Sequence, residues 1–200
     1  MSVTGPGKPG RPGYDLDSLL AVAVQVFNER GYDGTSMGDL AKRLGISKSA
    51  IYHHVESKET LLELALERAH KGLLAVAEEA QTLEATAVAK LERLVHDSVV
   101  VLVEQLPYVT LLLRVRGNTA VERRALTRRR TLDRQVAALI EEAIADGDIR
   151  SDIDASTAAR LLFGQVNSLV EWYRPRNGDT GHLIADTVTR VAFEGVRSAR

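Results

Sequence analysis

The chain has no cysteine, so it can form neither a disulfide, nor a thiolate zinc site, nor a cysteine nucleophile. That usage fits a reducing cytoplasm. It also has no surplus of charge of either sign, because 26 Lys and Arg against 27 Asp and Glu leave a formal net charge of -1. Any attraction to nucleic acid must then come from a local basic face and not from the field of the whole molecule. Long apolar runs are missing too: Val99 to Val103 is far shorter than a membrane span, and the N-terminus lacks the apolar core of a signal peptide. No membrane partner is expected. G-x-S-x-G, H-E-x-x-H and a phosphate loop are all absent, so nothing convergent suggests an enzyme. No stretch shows strand-like alternation of any length, which leaves an all-α chain.

What is present is ordinary globular material, 200 residues at 44% hydrophobic, enough for a core divided between a small and a larger domain. The opening "MSVTGPGKPGRPG" is too rich in Gly and Pro for a helix and predicts a flexible arm over 1–13. Gly5, Gly7 and Gly10 match G-x-G-x-x-G, but no strand precedes them and prolines occupy the loop, so a dinucleotide site is rejected. From Asp15 the period turns helical, with Leu16, Leu20, Ala23 and Phe27 on one stripe and Gly31 after the last turn. A second helix starts at Thr35 or Ser36, with Ser36 and Asp39 at capping-box spacing, and stops at Gly45. A third runs from the cap Ser47 to about His54, and a fourth starts at the cap Ser57. Further helical periods cover about 86–105, 107–116, 120–146, 155–173 and 181–198, punctuated by Gly117, Gly147, Pro175 and Gly178.

Two short helices joined by Gly45 and Ile46 have the form of a helix-turn-helix, whose second helix enters a DNA major groove. On that second helix Ile46, Ala50, Ile51 and Val55 supply an inner side. Lys48, Ser49, Tyr52 and His53 then share the outer one, by the i, i+3, i+4 rule. Lys and Ser suit base edges, and Tyr, His and helix N-termini suit phosphates. Lys42, Arg43 and Lys58 make the neighbourhood basic against Glu56 and Glu59 alone. Taken singly, Tyr52 fits a core tyrosine and the adjacent His53 and His54 fit a solvated surface, since neighbours on a helix face different ways and make a poor metal pair. Lys8 and Arg11 suit either a minor-groove arm or a plain basic tag.

The stretch "AVQVFNERGYDGTSMGDLAKRLGISKSAIYHHVESKETLL" resembles the DNA-binding domain of TetR/AcrR transcriptional regulators over about residues 14–65. Carried by Gly-Tyr, Thr-Ser-Met, Tyr-His-His and Ser-Lys-Glu, the resemblance implies a helix-turn-helix domain over 14–60 and a helical effector-binding and dimerisation domain over 61–200. It further implies a homodimer, a double-stranded operator, a small-molecule effector, repression as the family habit, and no cofactor. Thr35, Lys48, Ser49, Tyr52, His53 and Lys58 are the DNA-contacting positions it implies. Val55 departs from the aromatic residue usual there, which bears on how the third helix packs on the first.

Between Ala87 and Leu113 apolar residues occur almost all round the helices, which describes a buried core or a cavity lining equally well. The segment "LLFGQVNSLVEWYRPRNGD" is similar to the C-terminal helix of TetR-family regulators that respond to acyl-CoA thioesters. That similarity implies an effector site drawn from Leu113, Arg116, Gln165, Asn167, Trp172, Tyr173 and Arg174, with an apolar tunnel for the acyl group and arginines for the phosphates. The arginine runs at Arg123 and Arg128 to Arg130 read as well as a solvated face, and His96 and His182 as ordinary polar positions. The last two helices carry apolar stripes, Ile184, Val188, Val191 and Gly195 on the second, suited to a four-helix bundle across a two-fold axis. That role competes with the ligand role for Trp172. The rival to a DNA reader is a helical interaction module whose basic patch meets an acidic protein.

Overall fold

The computed structural model of the chain describes residues 15–174, 176 and 180–196. The arm read at 1–13, with Lys8 and Arg11, and the breaks read at Pro175 and Gly178 lie outside the described residues. Nine helices and no strand occur among those described: α1 Leu16–Arg30, α2 Met37–Leu44, α3 Lys48–Tyr52, α4 Lys58–Thr82, α5 Ala87–Glu104, α6 Leu106–Arg114, α7 Ala120–Ala145, α8 Ala155–Trp172 and α9 His182–Glu194.

Side-chain caps decide most of the starts. Asp15 accepts from the Ser18 N–H at 2.8 Å, Ser47 from Ala50 at 3.1 Å, Ser57 from Thr60 at 3.0 Å and Asp154 from Thr157 at 2.8 Å. Each supplies an acceptor that a helix N-terminus lacks. Ser36 with Asp39, and Thr119 with Glu122, close reciprocal capping boxes. The hydrogen bonds from Ser36 hold the Asp39 carboxyl below the usual carboxylate range, as those from Ser18 do for Asp15.

Three boundaries differ from the sequence reading. α3 ends at Tyr52 because the His54 and Val55 N–H groups both turn back to the Ile51 carbonyl, at 2.9 and 3.1 Å, which tucks Val55 inward. α6 begins before Pro107, whose missing N–H costs nothing in a first turn, and stops at Arg114, leaving Arg116 in the following connection. α9 stops at Glu194 against Gly195, short of the 198 expected.

The chain divides into two compact units, Met1–Leu61 and Leu62–Arg200, the break falling inside the first turn of α4. In the first, Leu19, Ala23, Phe27, Leu40, Leu44, Ile51 and Val55 are buried, and Phe27 meets Tyr32 edge to face at 5.3 Å between ring centres. In the second, Val76, Ala80, Leu91, Leu94, Val136, Ile140 and Ala159 form one cluster joining α4, α5, α7 and α8. Among the described residues no single helix is long and apolar enough to cross a membrane.

Candidate functional site

In the first unit the α2–α3 turn is a C-terminal cap. Gly45 sits at φ 67°, a left-handed conformation that a side chain disfavours, and the Ile46 N–H reaches the Ala41 carbonyl at 3.1 Å. That geometry sets the direction of α3. Ile51 is fully buried and Val55 nearly so, while Ala50 and Ile46 are half-buried. The opposite side of the same short rod carries Lys48, Ser49, Tyr52 and His53, all exposed. Tyr52 is 52% exposed, which removes it from the core outright. A convex polar ridge on a buried base is the shape a groove reader requires. The Lys48 side chain crosses the first turn of α2, and a methyl group placed on Gly38 would lie 2.9 Å from its Cε and 3.3 Å from its Nζ.

Two of the expected contact residues face the other way. Thr35 is 2% exposed, and its hydroxyl donates to the Gly31 carbonyl at 2.8 Å. Lys58 donates to the Tyr32 and Thr35 carbonyls, both at 2.8 Å, with its ammonium 4.1 Å from the centre of the Tyr32 ring. In this structure the two side chains tie the α1–α2 turn to the start of α4. A cation with three donors satisfied by two carbonyls and a ring face has little left to offer a phosphate. Arg43 is bonded to Glu29 at 3.0 Å and Arg30 lies 3.7 Å from Asp39, so part of the nearby positive charge is also neutralised in place.

The second unit holds a cavity of about 40 Å³, bounded by α4, α5, α6, α7 and α8. Roughly 10–15 Å³ suffices for one water on the same measure, so the space admits a small group as it stands. Its wall is mainly apolar, with Leu73, Leu102, Val109, Leu112 and Phe163 among the lining residues, and Arg128, Arg129 and Asp133 also line it. Two polar atoms in that wall have no hydrogen-bond partner, His70 Nε2 and Ser98 Oγ, although His70 is 6% and Ser98 1% exposed. Burial, and then the Arg128 cation, push the His70 pKa below its ordinary value against a hydrogen bond to the Ala125 backbone.

Of the effector residues read from the sequence, Leu113 and Asn167 line this cavity. The other five lie away from it. Gln165 lines a separate groove of about 610 Å³ with Ile149, Leu161 and Phe193. Arg116 is exposed in the α6–α7 connection, Trp172 is 58% exposed with its Nε1 donating to Ser168, and Arg174 turns back on the Tyr173 and Glu171 carbonyls. Tyr173 packs edge-on to Trp172, 5.9 Å between ring centres, and does not line the cavity. The end of α8 fails to reach the cavity because its indole-bearing turn faces outward. His70 and Ser98 escaped the sequence reading, yet each had a signal: a polar residue in the phase of the apolar stripe, between Leu66 and Leu73 on α4 and between Leu94 and Leu102 on α5.

Elsewhere, His96 bridges Asp97 on α5, at 2.8 Å, and Asp186 on α9, at 3.3 Å, and lies over His182 at 5.7 Å between ring centres. Among the described residues no three His, Asp or Glu are placed to hold a metal ion.

Comparison with known proteins bears on both units. The family model for bacterial regulatory proteins of the tetR family matches residues 19–65, and the model for the tetracyclin repressor-like C-terminal domain matches residues 84–196. The HTH-type transcriptional repressor KstR2 of Rhodococcus jostii is 30% identical over 96% of this chain and 94% of its own length. A crystal structure of a TetR-family transcriptional regulator from Streptomyces coelicolor A3 is 54% identical and superposes with a TM-score of 0.85 over 90% of this chain and 91% of that one. AibR in complex with isovaleryl coenzyme A and operator DNA shares the fold, with a TM-score of 0.74 at 23% identity over 88% of this chain and 97% of AibR.

Proposed function

From the premise that this chain belongs to the TetR family, and so is a DNA-binding transcriptional repressor and not an enzyme, we propose that Lys48, Ser49, Tyr52 and His53 meet operator DNA and that a small apolar or acyl-CoA-type effector releases it. The observation that carries the first part is the two-sidedness of α3, with Ile51 buried and Tyr52 exposed one residue apart. Lys48 and Ser49 suit base edges, and Tyr52 and His53 suit phosphates. The domain partition at residues 60 and 61, with a DNA-binding part before it and an effector and dimerisation part after it, belongs to the same reading.

A homodimer places two such ridges in successive major grooves, about one DNA turn or roughly 34 Å apart, or at a multiple of it. Leu161, Trp172, Leu183 and Val191, exposed at 69, 58, 81 and 37% on α8 and α9, supply apolar surface for that isologous contact. Trp172 then serves the interface. The effector part rests on the apolar cavity with its orphan polar atoms, on the similarity of the α8 segment to acyl-CoA-responsive regulators, and on the same fold holding isovaleryl coenzyme A in AibR. Because about 40 Å³ is too little for an acyl chain, such a ligand favours a more open setting of α4 to α8. That differential affinity is what shifts a population. α4 carries the coupling, since the chain passes from one unit to the other through it. Action in the cytoplasm follows from the DNA target.

Selection of bound duplexes from a random pool, followed by titration with salt, tests the DNA reading: log affinity must fall linearly with log salt. A flat response favours the protein-interaction module. Calorimetric titration with acyl-CoA esters tests the effector, and binding without any change in operator affinity removes that proposal.

A further inference from the structure

We infer that the α4–α8 cavity selects an apolar ligand carrying one hydroxyl group, which donates to His70 Nε2 and accepts from Ser98 Oγ. This inference rests on the effector reading of the same cavity and names the chemistry that reading leaves open.

The bare pair is the starting point. Both side chains are more than nine-tenths buried, both line the cavity, and neither atom has a partner. Buried polar groups are almost always bonded, and an exception asks for something that completes it. What completes it is set by the imidazole. The hydrogen bond from the ring to the Ala125 backbone raises the basicity of His70, so the ring donates there to a carbonyl. Since Nε2 is the nitrogen without a partner, the donor is Nδ1. Burial and Arg128 keep the ring neutral, and a neutral ring that donates through Nδ1 presents only a lone pair at Nε2.

That lone pair accepts a proton donor. A carboxylate, a phosphate, a ketone, an ether or a plain alkyl chain has no proton to give that nitrogen. Ser98 Oγ can donate or accept. A single hydroxyl within reach of both atoms would satisfy them together, giving its proton to His70 and accepting one from Ser98. Around the pair the wall is mainly apolar, with Leu102, Val109, Leu112 and Phe163 among its members beside Arg128, Arg129, Asp133 and Asn167, so most of the ligand is hydrocarbon. For an acyl thioester this means the hydroxyacyl form over the saturated one. A site built to bond a hydroxyl discriminates against the analogue that lacks it far better than an apolar pocket discriminates by size.

Phenol and anisole, alike in their ring and different in the donor, provide the test on the full-length protein. We expect phenol to bind at least tenfold more tightly than anisole by NMR titration, the ratio falling toward unity in His70→Leu and partway in Ser98→Ala. With the chain labelled in its histidine side-chain nitrogens, the Nε2 resonance of His70 should move on adding phenol and stay on adding anisole. That reading needs no variant, so it decides the matter if His70→Leu fails to fold. Equal binding of the two probes, binding of neither, or an unmoved Nε2 resonance overturns the inference. Selective phenol binding beside acyl-CoA esters that leave the operator bound supports the hydroxyl site and overturns the effector reading instead.

Discussion

The two units treat polar side chains in opposite ways. In Met1–Leu61 Thr35 is satisfied by Gly31 and Lys58 by two carbonyls and a ring, while Lys48, Ser49, Tyr52 and His53 stand outside on α3. In Leu62–Arg200 two polar atoms of the cavity-lining residues, His70 Nε2 and Ser98 Oγ, are buried without a partner. A duplex is a large partner that meets a convex surface, and its phosphates attract charge through water. A small ligand must be enclosed before a hydrogen bond to it can discriminate. On the proposed function, the fold exposes chemistry where the partner is larger than the unit and buries it where the partner is smaller.

The largest expected effect separates the units. Phe27→Ala empties a site that is 2% exposed and should cost about 3–5 kcal/mol, abolishing operator binding while ligand binding by the second unit persists. Loss of both functions together would break the comparison. Next, Lys48→Ala should weaken operator binding by about 1–3 kcal/mol and relax sequence preference at one position per half-site, whereas loss of Tyr52 or His53 should lower affinity evenly across sequences and flatten the salt slope. Fluorescence anisotropy over a set of operator variants distinguishes the two.

His70→Leu tests the inward chemistry through stability. A buried nitrogen without a partner costs about 1–3 kcal/mol, so the variant should melt higher than the parent. The pH dependence sharpens this. His70 sits below the ordinary value of 6.5 because burial and Arg128 disfavour its charged form. As pH falls below about 6.5 the unfolded chain binds the proton first, so the parent loses stability with acidification until the lowered folded pKa is reached, and gains nothing above it. Thermal melts across pH 4–8 should show that slope in the parent and a smaller one in the variant; parallel curves would mean that His70 is satisfied. Smallest is Ser47→Ala, which removes the 3.1 Å cap on Ala50 and should cost about 1 kcal/mol, read as a modest drop in both melting point and operator affinity.

Legibility follows the same division. Caps, glycine stops and apolar stripes placed the nine helices to within a few residues because each is a relation between neighbours three or four positions apart. The two sides of α3 were readable for that reason. The bonds of Thr35 and Lys58 within the fold were not legible, because the two sit 23 residues apart in sequence and Lys58 Nζ meets the Thr35 carbonyl. The placement of Trp172, Tyr173 and Arg174 away from the cavity was not legible, because a helix end can face a cavity or solvent with the same letters.

Local order thus came from the sequence alone: an all-α chain, a helix-turn-helix near its start, a ridge of Lys48, Ser49, Tyr52 and His53, and no catalytic motif. Tertiary structure alone decided which polar groups are enclosed. His70 and Ser98 lie 28 positions apart on α4 and α5 and share a wall only once those helices pack with α7 and α8. Helical periodicity assigns a residue to a face of its own helix, and only packing determines what that face meets.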